Sequence, residues 1–202
     1  MPQARARRRP CCEGVRWFGR GLVRDSWPEV RRSRRSDMTV LPITPTVGGV
    51  LGNAVLLRDG QGVDADPLTA VMLRSRATAM PWLRSPHDEA STRWWMEHVV
   101  LAEQNVRVAY IGSQVVGFAA VDGAWLEQLW VDPAEQGRGV GSRLLEDAQA
   151  ASRGRLTLHV FTRNQRARRF YEAAGFILTS QSDGSSNEEQ EPDCTYTWTA
   201  SR

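Results

Sequence analysis

Gln136-Gly137-Arg138-Gly139-Val140-Gly141 is the stretch on which the reading of this chain turns. Three glycines within five positions free the backbone to curl where side chains would collide, so consecutive N–H groups can converge on one anion. On its C-terminal side Val140, Leu144, Leu145, Ala148 and Ala151 recur at helical spacing until Gly154 ends the run. That spacing predicts a helix whose N-terminus adds partial positive charge at the same point. On the N-terminal side Trp125–Val131 reads as a strand stopped by Asp132-Pro133. Strand, glycine turn and helix in that order make a seat for a pyrophosphate. Two commoner phosphate turns do not fit: the dinucleotide fingerprint needs glycine where Ser142 stands, and a Walker loop needs lysine, which the chain lacks. On these residues alone, a turn that uses glycine only for its positive φ stays open as the alternative.

Outward from this turn the chain mixes strands and helices. Ala54 to Arg58 reads as a first strand, and Asp66-Pro67 as an N-cap with proline at the first helical position, followed by Leu68, Val71, Met72 and Ser75 at helical spacing. Ser85-Pro86 opens a second helix in the same way, with Asp88 as its capping-box partner, running through Trp94, Trp95, Val99 and Leu101. Val106 to Ile111, the Gly112-Ser113 turn and Gln114 to Val121 make a hairpin that Asp122-Gly123 continues into Trp125–Val131, an antiparallel meander. Leu156 to Phe161 alternates, with Leu156, Leu158 and Val160 on one face and Thr157, His159 and Phe161 on the other. The helix before it makes it a parallel neighbour of Trp125–Val131. Asn164 caps the next helix, whose buried side carries Ala167, Phe170, Tyr171 and Ala174 and whose end is marked by Gly175. Phe176 to Ser180 and Cys194 to Thr199 are the last strands, around the polar loop from Asp183 to Asp193.

The chain has 202 residues, 41% of them hydrophobic, enough for one domain with a substantial core. Its net charge of +3 is unevenly held. Residues 1–37 carry 11 arginines against four acids, a charge of +7, while the remainder stands at −4. Residues 1–53 are therefore read as an Arg-rich, disordered extension and 54–202 as the folded domain. The extension is either a tail without a role, upstream of a start at Met38, or a nucleic-acid-binding arm; nucleic acid is not the expected partner. Cys11 and Cys12 are adjacent and Cys194 is remote, so no disulfide framework is expected and a reducing cytoplasm is the expected compartment. Arg34-Arg35 ahead of Val40 to Ala54 has the outline of a twin-arginine export signal, but Pro42, Pro45 and Gly48-Gly49 interrupt the apolar run. No apolar run approaches a membrane span.

Leu129-Trp130-Val131-Asp132-Pro133, then Gln136-Gly137-Arg138-Gly139-Val140-Gly141-Ser142-Arg143-Leu144-Leu145, then Asn164-Gln165-Arg166-Ala167-Arg168-Arg169-Phe170-Tyr171-Glu172-Ala173-Ala174-Gly175-Phe176, resembles the GCN5-related N-acetyltransferase (GNAT) superfamily. Gln136, Gly139 and Gly141 fill its pyrophosphate-loop pattern, and the second segment resembles its Asn-x-x-Ala-x-x-Phe-Tyr-Glu-x-x-Gly-Phe helix. The two segments cover about a quarter of the chain, and the order of elements extends the likeness over roughly residues 55 to 200. The resemblance implies an α/β (α+β) fold with a mixed, mostly antiparallel, splayed sheet and flanking helices. It implies acetyl-CoA as donor, no metal, and an amine acceptor that is a small molecule or a protein N-terminus; it leaves a homodimer open.

The resemblance also distributes roles. It sets the coenzyme against Leu129, Trp130 and Val131, against Gln136, Gly137, Arg138, Gly139, Val140, Gly141 and Ser142, and against Asn164, although N-capping explains Asn164 equally well. A bulge in the Leu129-Trp130-Val131 strand splays it from Leu156 to Phe161 and offers a backbone N–H to the oxyanion. Tyr171 is the general acid for the departing thiolate, the alternative being a core tyrosine. His159 is the first candidate for the base and Glu127 the second, against structural roles for both and deprotonation through ordered water. The acidic loop Asp183 to Asp193 either attracts a cationic amine or is a solvated connection. Cys194 lacks an activating partner, so direct transfer is expected rather than an acyl-enzyme. The rival reading is a non-catalytic acyl-CoA-binding module.

Overall fold

The computed structural model describes residues 54–200; the extension 1–53 read from the sequence lies outside the described residues. Seven strands form one sheet: β1 (Leu56–Asp59), β2 (Asn105–Ile111), β3 (Gln114–Asp122), β4 (Trp125–Val131), β5 (Arg155–Phe161), β6 (Ile177–Ser182) and β7 (Asp193–Thr199), in the spatial order β1-β2-β3-β4-β5-β7-β6. Every neighbouring pair is antiparallel except β4 and β5, which are parallel.

The helices are α1 (Ala65–Ala79), α2 (Glu89–Trp95), α3 (Leu101–Glu103), α4 (Val140–Ala151) and α5 (Gln165–Ala173), with a single wide turn over Met96–Val100 joining α2 to α3. One face of the sheet packs Leu68 and Met72 of α1, Trp95, Met96 and Val100 against Val108, Phe118 and Ala120. The other packs Leu144, Leu145 and Ala148 of α4 and Tyr171 of α5 against Ala119, Leu156, Leu158 and Tyr196. Burial on both faces is the main stabilising term, at roughly 25 cal/mol per Å² of apolar surface. No helix among the described residues is long and apolar enough to cross a membrane.

Two helix starts differ from the sequence reading. α1 begins at Ala65, with Asp64 rather than Asp66 before it. Asp64 is buried because Arg58 grips both its oxygens at 2.7 Å and the Gln61 amide donates to it at 2.8 Å. α2 begins at Glu89, four residues after Ser85, because Asp88 is itself the N-cap and accepts from the Ser91 amide at 2.8 Å.

The sheet opens between β4 and β5. Their single ladder pair is Trp125↔Thr157, supported by the Thr157 amide donating to Ala124 O at 2.8 Å. On the other side of β4 the register with β3 steps from Ala120↔Gln128 to Val121↔Leu126, which makes Glu127 the extra residue of β4. The extra residue thus sits at Glu127, below the Leu129-Trp130-Val131 segment where the sequence reading put it. A bulge bends and twists its strand, so β4 diverges from β5 beyond this point.

Candidate active site

The glycine turn leads into α4, whose N-cap is Gly139 with φ of 84°. The helical bond from Arg143 N reaches Gly139 O at 3.0 Å, and no side chain caps the helix. The amides of Val140, Gly141 and Ser142 are therefore without helical acceptors. A Cβ placed on Gly137 or Gly139 would meet nothing within 4 Å, so open space fronts the turn. Gln136 braces it, donating from Nε2 to Val131 O at 3.1 Å. Three convergent amides, a helix N-terminus and room before them suit a pyrophosphate.

A cavity of about 490 Å³ begins at this turn. Gln136, Gly137, Gly139, Gly141 and Ser142 line one end, Leu129, Trp130 and Val131 of β4 its floor, and Asn164 and Tyr171 its far side. Two of the residues expected at the coenzyme, Arg138 and Val140, are not among those lining this cavity. The Arg138 side chain pairs with Glu135 at 2.8 Å. The Val140 side chain is buried in the core, which leaves its amide as the group available to a ligand. Asn164 caps α5, accepting from the Ala167 amide at 3.1 Å, and lines the cavity as well.

Beside it lies a smaller cavity of about 70 Å³ that shares Leu129, Trp130, Asn164, Ala167 and Tyr171 and adds Glu127, Gln128, His159 and Met80. Tyr171 thus stands between the two spaces. Burial alone pushes its phenol well above the ordinary range, so it stays protonated. Glu127, at the bulge, is 7% exposed. The His159 ring stacks on Trp125 at 4.9 Å, and its Nδ1 meets Thr195 Oγ1 at 3.2 Å.

Sequence reasoning missed Ser75 and Ala79 of α1 and Arg166 and Phe170 of α5, which also line the large cavity. Ser75 and Phe170 stand on stripes the periodicity marked as buried; nothing in the spacing marked the other two. The loop from Asp183 to Asp193 is not a freely solvated connection. Glu188 meets His87 at 2.8 Å, Glu189 meets Arg76 at 3.3 Å, and Glu191 meets Arg163 at 3.7 Å. Arg163 in turn lies 4.3 Å over the Trp82 ring. The loop is thereby pinned to the end of α1 and to the α1–α2 connection.

Residues 69–176 match a family model described as the Acetyltransferase (GNAT) family. The peptidyl-lysine N-acetyltransferase YjaB of Salmonella typhimurium is 37% identical over 71 residues, 35% of this chain and 48% of its own length. An uncharacterized N-acetyltransferase of Archaeoglobus fulgidus is 36% identical over 101 residues, 43% of this chain and 68% of its own. The chain spans about half the length of the YjaB relatives it matches. The solution structure of apo YjaB from Escherichia coli is similar with a TM-score of 0.59 at 27% identity, over 73% of this chain and 99% of that one. The PaiA N-acetyltransferase of Thermoplasma acidophilum, in complex with coenzyme A, has a TM-score of 0.58 at 19% identity, over 72% and 99% of the two chains, a likeness of fold alone. With its glycine turn, splayed sheet and Tyr171 helix inside a family match that spans more than half of its length, the chain belongs to the GNAT family of acetyltransferases.

Proposed function

We propose that this protein transfers an acetyl group from acetyl-CoA to a primary amine by direct attack through a tetrahedral intermediate. One observation carries the reading: a single cavity joins the acceptor-free amides at the start of α4, the splay beside β4 and the Tyr171 side chain. The amides of Val140, Gly141 and Ser142 would hold the pyrophosphate, and Leu129, Trp130 and Val131 would present backbone groups to the pantetheine arm. When bound, acetyl-CoA supplies an activated acyl carbon and a thiolate leaving group.

The chain's own residues then have separable tasks. A backbone N–H of the Leu129-Trp130-Val131 segment donates to the oxyanion. Tyr171 holds a proton near the sulfur. Its raised pKa makes it a weaker acid than a thiol of about 8.5, so its contribution is a hydrogen bond to the developing thiolate more than full proton delivery. His159 is the first candidate to take the amine proton and Glu127 the second, both lining the small cavity on the other side of Tyr171. Cys194 lines neither cavity and is fully buried, with Thr162 Oγ1 at 3.4 Å, which supports transfer without an acyl-enzyme.

Because the YjaB relatives are named for peptidyl-lysine, the lysine ε-amine is the first acceptor to try, ahead of protein N-termini and small amines. The cytoplasm, where acetyl-CoA is made available to such acceptors, is the location this reading implies. The test is coenzyme A release from acetyl-CoA across a panel of lysine peptides, N-terminal peptides and small amines. Amine-dependent release is expected. Tight acetyl-CoA binding with no release above hydrolysis for any amine would instead make the protein an acyl-CoA-binding module.

A further inference from the structure

Three side chains with no part in the site above form a tether between α5 and the sheet. Tyr196 of β7 is completely buried, yet its hydroxyl accepts from Arg168 Nε at 3.0 Å and donates to Glu172 Oε1 at 2.5 Å. Arg168 and Glu172 are four residues apart and share a face of α5. Tyr171 is the residue immediately before Glu172, so the rotation that satisfies Tyr196 also sets where the Tyr171 ring points.

The apolar side of α5 also faces the core, with Tyr171 buried and Ala167 and Phe170 packed half-buried beside it. Such packing tolerates small rotations of a helix about its axis, which directional hydrogen bonds restrict. Hydrogen bonds to charged partners are short and directional, and here both converge on one atom of a strand. That strand is itself firmly held: β7 pairs with β5 from Asp193↔Phe161 to Thr199↔Arg155, and β5 forms one wall of the splay.

We propose that Tyr196, acting through Glu172 and Arg168, is a positioning residue that fixes the rotation of α5 and thereby holds the Tyr171 hydroxyl between the two cavities. The inference rests on the role given to Tyr171 under the proposed function. It makes Tyr196 matter to the rate without touching either substrate.

Tyr196→Phe removes the hydroxyl alone. Glu172→Ala cuts the tether from the exposed side of the helix and leaves the core intact, and Glu172→Gln keeps an acceptor oxygen. Amide hydrogen exchange in residues 165–174 should accelerate in Tyr196→Phe and Glu172→Ala but much less in Glu172→Gln. With a good acceptor, kcat should fall on the order of 10-fold or more in the first two, as expected for a small misplacement of a reacting group, while KM for acetyl-CoA holds. In a Tyr171→Phe background the further change Tyr196→Phe should have no additional effect on kcat. Unchanged exchange and unchanged kcat in both Tyr196→Phe and Glu172→Ala overturn the inference, as does a kcat loss that persists in full without the Tyr171 hydroxyl. A Tyr171→Phe variant at the wild-type rate counts against the role of Tyr171 instead, and the exchange measurement then still upholds or overturns the tether.

Discussion

Arg74 donates twice to one oxygen of Asp132, from Nε at 3.0 Å and from Nη2 at 2.5 Å, fastening α1 to the first residue beyond β4. The other Asp132 oxygen accepts from the Ala134 amide at 3.1 Å, and the Asp132 amide donates to Val116 O at 2.8 Å. The approach to the glycine turn is therefore anchored to α1, to its own next turn and to β3. Burial pushes the Asp132 carboxyl up, but the Arg74 hydrogen bonds, the Ala134 amide and the guanidinium charge outweigh it and hold the pKa below its ordinary value.

Arg74→Met should therefore cost stability in a pH-dependent way. The folded-state pKa of Asp132 is depressed, so the stability it contributes is complete above the unfolded value of about 3.9 and is lost as pH falls through the folded value. Arg74 is half exposed, which limits the pair to about 1 kcal/mol at neutral pH. Wild type should lose more stability than Arg74→Met on acidification below about pH 4, measured by denaturant unfolding at a series of pH values. Equal acid sensitivity would show that the pair is idle.

Gly139 and Gly141 should respond differently to substitution. Gly139 has φ of 84°, so Gly139→Val strains the turn, lowers the unliganded Tm and abolishes the stabilisation by acetyl-CoA. Gly141 has no positive φ, and a Cβ there would sit 3.5 Å from Phe170 and 3.6 Å from Val131, ordinary contacts at the cavity edge. Gly141→Ala should keep or raise the unliganded Tm, since alanine favours helix by about 1 kcal/mol over glycine, while weakening the acetyl-CoA response. Thermal shift with and without acetyl-CoA measures both. An undiminished response in a folded Gly139→Val protein would sink the cradle.

Tyr171→Phe should slow acetyl transfer on the order of 10²-fold when chemistry limits the rate, with acetyl-CoA affinity little changed. The pH dependence is distinctive. A phenol whose folded pKa lies above the unfolded value of about 10 contributes stability that is complete below that value and is lost as pH rises towards the folded one. Alkaline unfolding should accordingly be less steep in Tyr171→Phe than in wild type above about pH 10. Identical alkaline profiles would mean that the ring is not sealed from water.

Glu189→Gln should be harmless or stabilising at neutral pH. Burial pushes the Glu189 carboxyl above its ordinary value even though the Arg76 charge pulls it down. The stability it contributes is complete below the unfolded pKa and lost as pH rises through the folded one, so at pH 7 the buried carboxylate is a burden that the amide removes. The expected gain in Tm at pH 7 is at most about 3 °C, vanishing near pH 4. A large loss of Tm at pH 7 would make the Arg76 pair a net stabiliser.

The parts of this fold legible in the sequence were those written in local spacing. The glycine turn, the helical stripe of Val140, Leu144, Leu145 and Ala148, the alternation in Leu156 to Phe161 and the Asn164 cap each depend on residues within one element and stand where that spacing puts them, whereas Ala151, placed on the same stripe, is exposed in the last turn of α4. What the chain hid are relationships between distant positions. Asp66-Pro67 looked like the better helix start because the grip of Arg58 on Asp64 is a three-dimensional fact. The bulge at Glu127 depends on register with β3, which the composition of β4 does not encode. Arg76 and Glu189 are 113 positions apart, and Arg168 and Tyr196 are 28 apart, so no periodicity could join them.

The single ladder pair between β4 and β5 divides the sheet into two leaves, β1-β2-β3-β4 and β5-β7-β6, stitched by backbone at one end only. Without a guest between them, the leaves communicate chiefly through side chains in the core beneath α4 and α5. A ligand that bonded to both open edges would become a shared seam, and the first effect of binding would be on cooperativity. Calorimetric unfolding of the free protein should show a van't Hoff enthalpy below the measured one, the mark of leaves that melt partly on their own. Saturation with acetyl-CoA should bring the two enthalpies together, so that one molecule of substrate turns two loosely coupled half-sheets into a single melting unit.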